Sequence, residues 1–190
     1  KTSFSLNFSF RKMSTERFHA NIPSMRHARM FPAAAVVGKN IYIAGGSDAW
    51  GNIQSTAEWY DTDTQRWNET SPMRTPRSGH AAVSLGNSIV VMGGWGLSSA
   101  EQFNTATGKW SAIPSMNEVR GGCAAAVLNG RVVVVGGWDI NGNRLSSAEE
   151  YDTAAGRWSS IPSMHTKRSG CAAVVLNGQL FVLGGYDGNK

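Results

Sequence analysis

Short apolar runs recur along the chain, and each of them ends at a pair of glycines. The runs cover residues 41–44, 89–92, 132–135 and 180–183, and the pairs begin at Gly45, Gly93, Gly136 and Gly184. Successive pairs are 48, 43 and 48 residues apart. A nearly constant period of this length indicates an array of one supersecondary unit. Such arrays usually offer binding surfaces and not single reactive groups.

The hydrophobic pattern of each unit predicts four short strands, A to D. Strand B is the apolar run itself, and an Asn-Gly type turn such as Asn129-Gly130 joins it to strand A. Strands A and B are almost entirely apolar, which predicts burial on both faces. Strands C and D alternate with polar residues, which predicts a position farther out. No segment keeps the 3.6-residue period of a helix, so the predicted fold is all-β.

Aromatic residues complete the repeated pattern. A Tyr or Phe follows each of the first three glycine pairs, and a Trp follows seven residues later, at Tyr60/Trp67, Phe103/Trp110 and Tyr151/Trp158. Together with the glycine pairs, these residues resemble the kelch repeat over nearly the whole chain. The resemblance implies a β-propeller of four-stranded antiparallel blades, with strand A lining the central axis. The glycines would then allow close approach of a neighbouring blade, and each Trp would pack against the next blade.

The aligned units predict three complete blades, 25–72, 73–115 and 116–163, between two half-blades. Residues 4–24 supply strands C and D, with Phe10 and Phe18 near the Tyr and Trp positions, and residues 164–190 supply strands A and B. The two halves could pair to close a four-blade ring, which would remove exposed sheet edges. Alternatively, the chain is a fragment of a larger propeller. We expect the fragment, since the sequence ends inside a loop.

The charge distribution narrows the classes of partner. The formal net charge of +5 arises within residues 1–30, and the remaining 160 residues are neutral. We therefore expect no nucleic-acid partner. No apolar run approaches the roughly 20 residues of a membrane span, so no membrane association is expected. Two cysteines, Cys123 and Cys171, make no disulfide framework and favour a cytoplasmic location.

The strand order of a propeller would place the D-to-A loops and the B-to-C loops on one face. The B-to-C loop of the second blade is five residues shorter than those of the first and third. Variable loops on a uniform scaffold are typical of recognition, and aromatic residues and arginine are frequent anchors. The candidate partner-binding residues are Met30, Phe31, Asp48, Trp50, Ser78, His80, Trp95, Gly121, Trp138, Asp139, Asn141, Arg144, Ser169, Tyr186 and Asp187.

Several of these positions also have a structural interpretation. Trp95, Trp138 and Tyr186 directly follow glycine pairs and could pack between blades instead of facing a partner. Recurrent arginines lie near the ends of the D-to-A loops, and recurrent glutamates follow Ala in strand C, so we expect them to pair with each other. The pattern comprises Arg29, Arg77, Arg120 and Arg168 with Glu58, Glu101 and Glu149.

Metal and catalytic chemistry find little support in the sequence. His80, Cys123 and Cys171 share one register, but they lie on separate blades, so no metal site is predicted. A phosphate-binding glycine loop, an HExxH motif, a nucleophile elbow and a close carboxylate pair are all missing from the sequence. We therefore predict no catalytic residue and no cofactor.

The kelch resemblance implies a module that binds a peptide or loop of a protein partner. In that family such modules often serve ubiquitin ligases, with an attached BTB or F-box domain and a cullin. The alternative is a sugar- or small-molecule-processing enzyme, since kelch-like propellers include copper oxidases of the galactose oxidase type and sialic acid epimerases. The Tyr-Cys-His copper constellation of those oxidases cannot be placed on these residues.

Overall fold

Antiparallel sheets follow one another along the chain in the computed structural model, which describes residues 22–188. Three sheets have four strands, paired in sequence order, and a fourth sheet has two. This confirms the all-β fold with four-stranded antiparallel blades. Among the described residues, no helix could cross a membrane. Most of the half-blade predicted for residues 4–24 lies outside the described residues.

The strand bounds agree closely with the sequence pattern. The first sheet contains β1 (Ala33–Val37), β2 (Asn40–Ala44), β3 (Ala57–Asp61) and β4 (Arg66–Glu69). The second contains β5 (Ala81–Leu85), β6 (Ser88–Met92), β7 (Ala100–Asn104) and β8 (Lys109–Ile113). The third contains β9 (Ala124–Leu128), β10 (Arg131–Val135), β11 (Ala148–Asp152) and β12 (Arg157–Ile161). The two-stranded sheet contains β13 (Ala172–Leu176) and β14 (Gln179–Leu183).

The first strands of the sheets are the innermost strands of a propeller. β1 packs beside β5, β5 beside β9, and β9 beside β13. Together they line an open channel of about 370 Å³ with small apolar side chains such as Ala82, Ala125 and Val175. Within residues 22–188, β1 and β13 do not pack beside each other as neighbouring inner strands do, so these residues form an arc.

The prediction that strands A are buried on both faces is wrong. In β5 and β9 buried residues alternate with partly exposed ones, because every second side chain faces the central channel. Strand β6 is buried throughout, and β10 is buried from its second residue onward. The hydrophobic core therefore lies between the sheets and is centred on β6 and β10, the second strands of the second and third blades.

The glycine pairs are points of contact between blades. Gly93 and Gly94 have φ angles of 69° and 116°, a region that favours glycine. The amide of Gly94 donates to the carbonyl oxygen of Arg120 in the segment leading to the next blade, at 2.9 Å. A Cβ on Gly93 would lie 2.4 Å from that same oxygen. The predicted close approach is confirmed, and Gly45 and Gly136 meet the corresponding oxygens of Arg77 and Arg168.

The tryptophans of the fourth strands contact the preceding blade. The ring of Trp110 lies 5.0 Å from that of Phe103 in its own blade. Its indole N–H donates to the carbonyl oxygen of Ser71, which follows the last strand of the preceding blade, at 2.9 Å. Trp158 donates in the same way to Pro114, at 2.8 Å. The prediction that each Trp packs against the next blade is therefore wrong, because the contact is with the preceding blade.

Candidate partner-binding surface

Two sets of loops lie together at one edge of the blades, which we call the loop edge. In each blade, the end of the D-to-A loop pairs through the backbone with the residue that follows the glycine pair. The four pairs are Met30–Ser47, Ser78–Trp95, Gly121–Trp138 and Ser169–Tyr186. The turns between strands A and B and between C and D lie at the opposite edge, because the strands run antiparallel.

The recurrent arginines of the D-to-A loops are structural. Arg77 is fully buried, and its guanidinium lies 3.0 Å from the carboxylate of Glu101. It also donates to the carbonyl oxygens of Gly93 and Ser99, at 2.9 and 2.7 Å. The pairs Arg29–Glu58 and Arg120–Glu149, at 2.9 and 3.1 Å, repeat the arrangement. The predicted pairing of Arg with a strand C Glu is confirmed in the three complete blades, so Arg29, Arg77 and Arg120 are not available to a partner.

His80 lies inside the protein, which corrects its inclusion among the surface residues. Its side chain is only 6% exposed, and neither ring nitrogen has a hydrogen-bond partner among the described residues. Burial, together with the nearby charge of Arg77, lowers the pKa of His80 to about 3, so the ring is neutral. Burial also raises the pKa of the Cys123 thiol to about 12. No three His, Cys, Asp or Glu side chains within residues 22–188 converge as metal ligands.

Gly121 and Ser169 are buried as well, which corrects their assignment to the surface. The ring of Trp138 covers Gly121 and Gly122, so a Cβ on Gly121 would lie 2.3 Å from the indole nitrogen. A Cβ on Gly122 would lie 2.1 Å from a ring carbon. Ser169 is paired with Tyr186 through both backbone groups. The second and fourth blades have serine at the position of Gly121. Because position 121 has no side chain, the ring of Trp138 can pack directly on the backbone there.

A row of aromatic rings and one guanidinium crosses the loop edge from the second blade to the fourth. Trp95 meets Trp138 edge-on, with 6.4 Å between ring centroids and 75° between planes. The guanidinium carbon of Arg144 lies 6.0 Å from the centroid of Trp138 and 5.3 Å from that of Tyr186. These distances permit cation–π attraction, which holds Arg144 between the two rings.

Several large apolar side chains at this edge are exposed. Trp50 is 86% exposed, Phe31 73% and Trp95 72%. The other exposed members are Met30, Ile53, Ile140 and Tyr186, and Asn141 is an exposed polar neighbour. Sequence reasoning missed the two isoleucines. Their signal in the sequence is a single apolar residue between two polar neighbours in each of the two long loops.

Hydrogen bonds to two aspartates shape the long B-to-C loops. Asp139 accepts from the amides of Asn141 and Asn143, both at 2.8 Å, and from the side-chain amide of Asn143. Asp48 does the same in the first blade. The side-chain bond from Asn143 is the main reason why the pKa of Asp139 lies below its usual value. Both carboxylates therefore stay charged and fix the loop conformations.

Two clefts flank Trp95. One has a volume of about 340 Å³ and is lined by Phe31, Ser47, Gly51, Ile53, Ser78 and Trp95. The other has about 330 Å³ and is lined by Trp95, Gly96, Trp138, Asp139, Ile140, Gly142 and Arg144. Aromatic walls with a few polar groups can hold side chains of a ligand. Of the remaining predicted residues, Ser78 lines the first cleft, and Asp48 and Asp187 are half-buried nearby.

The fold is shared with a solved propeller-like chain. The structure of YjhT superposes with a TM-score of 0.75 at 15% sequence identity, covering 85% of this chain and 58% of YjhT. At that identity the likeness shows the fold alone.

Relatives by sequence match shorter segments. Beta-scruin from Limulus polyphemus is 37% identical over 73 residues, which are 38% of this chain and 8% of that protein. Kelch-like protein 25 from Homo sapiens is 33% identical over 75 residues, 40% of this chain and 12% of its own length. The matched segments thus span about a tenth of these relatives.

A family model covers far more of the chain. The model described as the KLHDC2/KLHL20/DRC7 Kelch-repeats domain matches residues 1–185. The repeated glycine pairs, the Tyr-to-Trp spacing and the four-stranded sheets described above agree with this match. The chain therefore belongs to this family of Kelch-repeat domains.

Proposed function

We propose that this chain is a non-catalytic interaction module that binds a protein partner at its loop edge. The observation that supports the proposal is the concentration of exposed aromatic side chains around Trp95. Trp, Tyr and Arg dominate the energetics of protein interfaces. The proposed surface comprises Met30, Phe31, Asp48, Trp50, Ser78, Trp95, Trp138, Asp139, Asn141, Arg144, Tyr186 and Asp187.

The loops at this edge are held in place before a partner arrives. Trp138 lies on Gly121 and Gly122, and the hydrogen bonds to Asp48 and Asp139 fix the two long loops. A surface that needs little ordering loses less conformational entropy on binding. The same loops would then contribute more of their contact energy to affinity.

The buried titratable groups support a non-catalytic role. His80 is buried and uncharged, Cys123 is a buried thiol with a raised pKa, and Arg77 is committed to Glu101. General acid–base or nucleophilic catalysis needs such groups within reach of a ligand. The clefts beside Trp95 instead present aromatic rings, two isoleucines and Arg144.

We also propose that the natural protein is cytoplasmic and acts as the substrate-recognition part of a ubiquitin ligase adaptor. This role rests on the kelch resemblance and needs a BTB or F-box domain in the same protein or in an associated one. Purification of the natural protein from cells should then recover a cullin. A protein recovered with its partner but repeatedly without any cullin would contradict the adaptor role and leave partner binding intact.

Site-specific photo-cross-linking tests the binding surface. A benzoylphenylalanine at position 95 should cross-link a protein from a cell extract, because Trp95 is exposed between the two clefts. The matched control is benzoylphenylalanine at position 107, an exposed turn residue at the opposite edge. The captured partner should then bind the purified chain in calorimetry and bind the Trp95→Ala variant at least tenfold more weakly.

The outcome of this test separates the proposal from the small-molecule alternative. Cross-linking that is equal at positions 95 and 107, or a partner indifferent to Trp95→Ala, would contradict the proposed surface. A thermal-shift screen of glycans and metabolites provides the opposite test. A clear rise in the unfolding temperature with a sugar or metabolite, without any protein partner, would favour a small-molecule function.

A further inference from the structure

Unequal loops create a groove across the second blade. The loop at residues 95–99 is five residues shorter than the corresponding loops at 47–56 and 138–147. Trp95 therefore lies between two longer loops and contributes to both clefts. We call the two clefts together the Trp95 groove. Its length, over parts of three blades, is suited to an extended segment and not to a single compact ligand.

Corresponding positions on the two sides of the groove carry different chemistry. Ile53 forms a bridge with Ser47, and Arg144 forms the equivalent bridge with Trp138. The two residues thus occupy equivalent positions in their loops, and each lines one cleft. The first side of the Trp95 groove is apolar, whereas the other side presents a guanidinium.

Arg144 has hydrogen-bonding capacity that no described residue satisfies. Within residues 22–188 it forms no ion pair, and its Nη1 donates to the carbonyl oxygen of Gly142. Its Nε is buried without a partner. The nearby carboxylate of Asp139 already accepts hydrogen bonds from Asn141 and Asn143. The guanidinium lies between Trp138 and Tyr186, and its Nη2 group is left to donate to a carboxylate.

Phe31 is held in a backbone conformation that is costly for an aromatic residue. Its φ is 53°, and the corresponding residues of the other blades are glycines Gly79, Gly122 and Gly170, with φ between 58° and 64°. Its carbonyl oxygen accepts from Gly79 of the next blade at 3.0 Å, a contact that glycine would make equally well. Folding therefore does not require the Phe31 side chain. Backbone strain of this kind concentrates at binding sites, where the side chain compensates for it.

We infer that the partner presents an extended segment with an apolar side chain and an acidic side chain, one on each side of Trp95. The apolar side chain enters the cleft of Phe31, Ile53 and Trp95, and the carboxylate pairs with Arg144. The inference rests on the proposed partner-binding function and specifies the chemistry of the bound segment. The apolar lining of one cleft and the unpaired cation of the other supply the complementarity.

Selection from a peptide library tests the inference without a known partner. A phage-displayed library of random 12-residue peptides is selected on the 190-residue chain and counter-selected on its Trp95→Ala variant. The retained peptides should share an acidic residue and a large apolar residue. Synthetic versions are then titrated by calorimetry, together with analogues in which the acid becomes its amide or the apolar residue becomes alanine.

Arg144→Gln tests the acidic contact. The amide analogue should bind the unchanged chain roughly tenfold more weakly than the acidic peptide, as expected for one hydrogen bond to a charged group. On Arg144→Gln the two peptides should bind equally. Arg157→Gln, an exposed arginine at the opposite edge, is the matched control and should preserve the tenfold preference.

Phe31→Gly tests the apolar contact and separates it from a structural role. Affinity should fall about tenfold, while the unfolding temperature should stay equal or rise, because the strained conformation suits glycine. Asn129→Gly is the matched control, with a φ of 51° in a turn at the opposite edge. It should relieve the same strain and leave the affinity unchanged.

The possible results distinguish this inference from the proposed function. Peptides that depend on Trp95 but show no acid preference, or no loss with Phe31→Gly, would overturn the inference and leave the proposed surface standing. If no retained peptide depends on Trp95, the proposed function and the inference fail together. An unfolding temperature lowered by Phe31→Gly would assign that residue to the fold and overturn its role in binding.

Discussion

Buried arginines link the loops of each blade to its strands. The carboxylate of Glu101, besides pairing with Arg77, accepts hydrogen bonds from the backbone amides of Arg74 and Thr75, at 2.7 and 3.0 Å. One ion pair thus orders the end of the D-to-A loop and attaches it to strand β7. A buried charge whose partner is removed is left uncompensated, so these pairs are sensitive to substitution of either member.

Arg77→Ala should lower the free energy of unfolding by about 3–5 kcal/mol, because Glu101 would remain buried without its cation. Urea unfolding followed by tryptophan fluorescence measures the change. Arg66→Ala, at an exposed position in β4, is the control and should change stability by less than about 0.5 kcal/mol. Equal stabilities for the two variants would contradict the structural role of the ion pair.

His80 should make stability depend on mildly acidic pH. Its folded pKa of about 3 lies below the ordinary value of 6.5, so the unfolded chain binds the proton more readily. Stability should therefore fall as the pH decreases below about 6.5 and continue to fall toward pH 3. At pH 5 the loss from this residue should be about 2 kcal/mol, measured by urea unfolding at pH 7.5 and 5.

His80→Cys is the matched control for this pH effect. Cysteine stands at the same register in the third and fourth blades, as Cys123 and Cys171, so the site is compatible with it. The variant should lose about 2 kcal/mol less than the unchanged protein between pH 7.5 and 5. A pH dependence identical in both proteins would show that His80 does not stay neutral in the fold.

Contacts between blades depend on the first glycine of each pair. Gly93→Ala would place a Cβ 2.4 Å from the carbonyl oxygen of Arg120, so the second and third blades would have to move apart. Gly108 has a similar φ, 66° against 69°, but open space around it. Gly108→Ala should lower the free energy of unfolding by about 1 kcal/mol through backbone strain alone, and Gly93→Ala should lower it by clearly more. Equal losses of unfolding free energy in the two variants, measured with urea, would show that a Cβ at position 93 does not disturb the contact between blades.

Local pattern was sufficient to predict the strands but not every contact between them. Strands β13 and β14 follow directly from two apolar runs and the turn at Asn177-Gly178, and the Arg–Glu pairs follow from their shared period. The open channel beside the inner strands was not predictable from pattern. A strand of alanine and valine has the same sequence pattern whether its side chains face a core or a channel. Their exposure is decided by how the blades curve around the channel.

The candidate site was predictable only in part, for a related reason. Sequence identified Trp95, Trp138 and Arg144 as loop residues, but their mutual stacking depends on contacts between blades. Burial of His80 likewise arises from the approach of Gly45 in the preceding blade. Long-range geometry therefore decides which loop residues are exposed, whereas local pattern decides that they lie in loops.

Across the whole molecule, the charges that recur between blades and the exposed aromatic residues have separate roles. The charges that recur once per blade are buried in ion pairs, while the aromatic residues that vary between loops are exposed at one edge. The repeated scaffold thus contributes stability, and the unequal loops contribute the surface. Partner binding should accordingly involve the loop edge and leave the opposite edge unchanged.

Amide hydrogen exchange of the chain with and without its captured partner tests this central claim most directly. Binding should slow exchange in the loops at residues 47–56, 95–99 and 138–147. Exchange should be unchanged in the turns at residues 62–65, 105–108 and 153–156. Protection of those turns, or formation of the complex without protection of the loops, would contradict the proposed interaction surface.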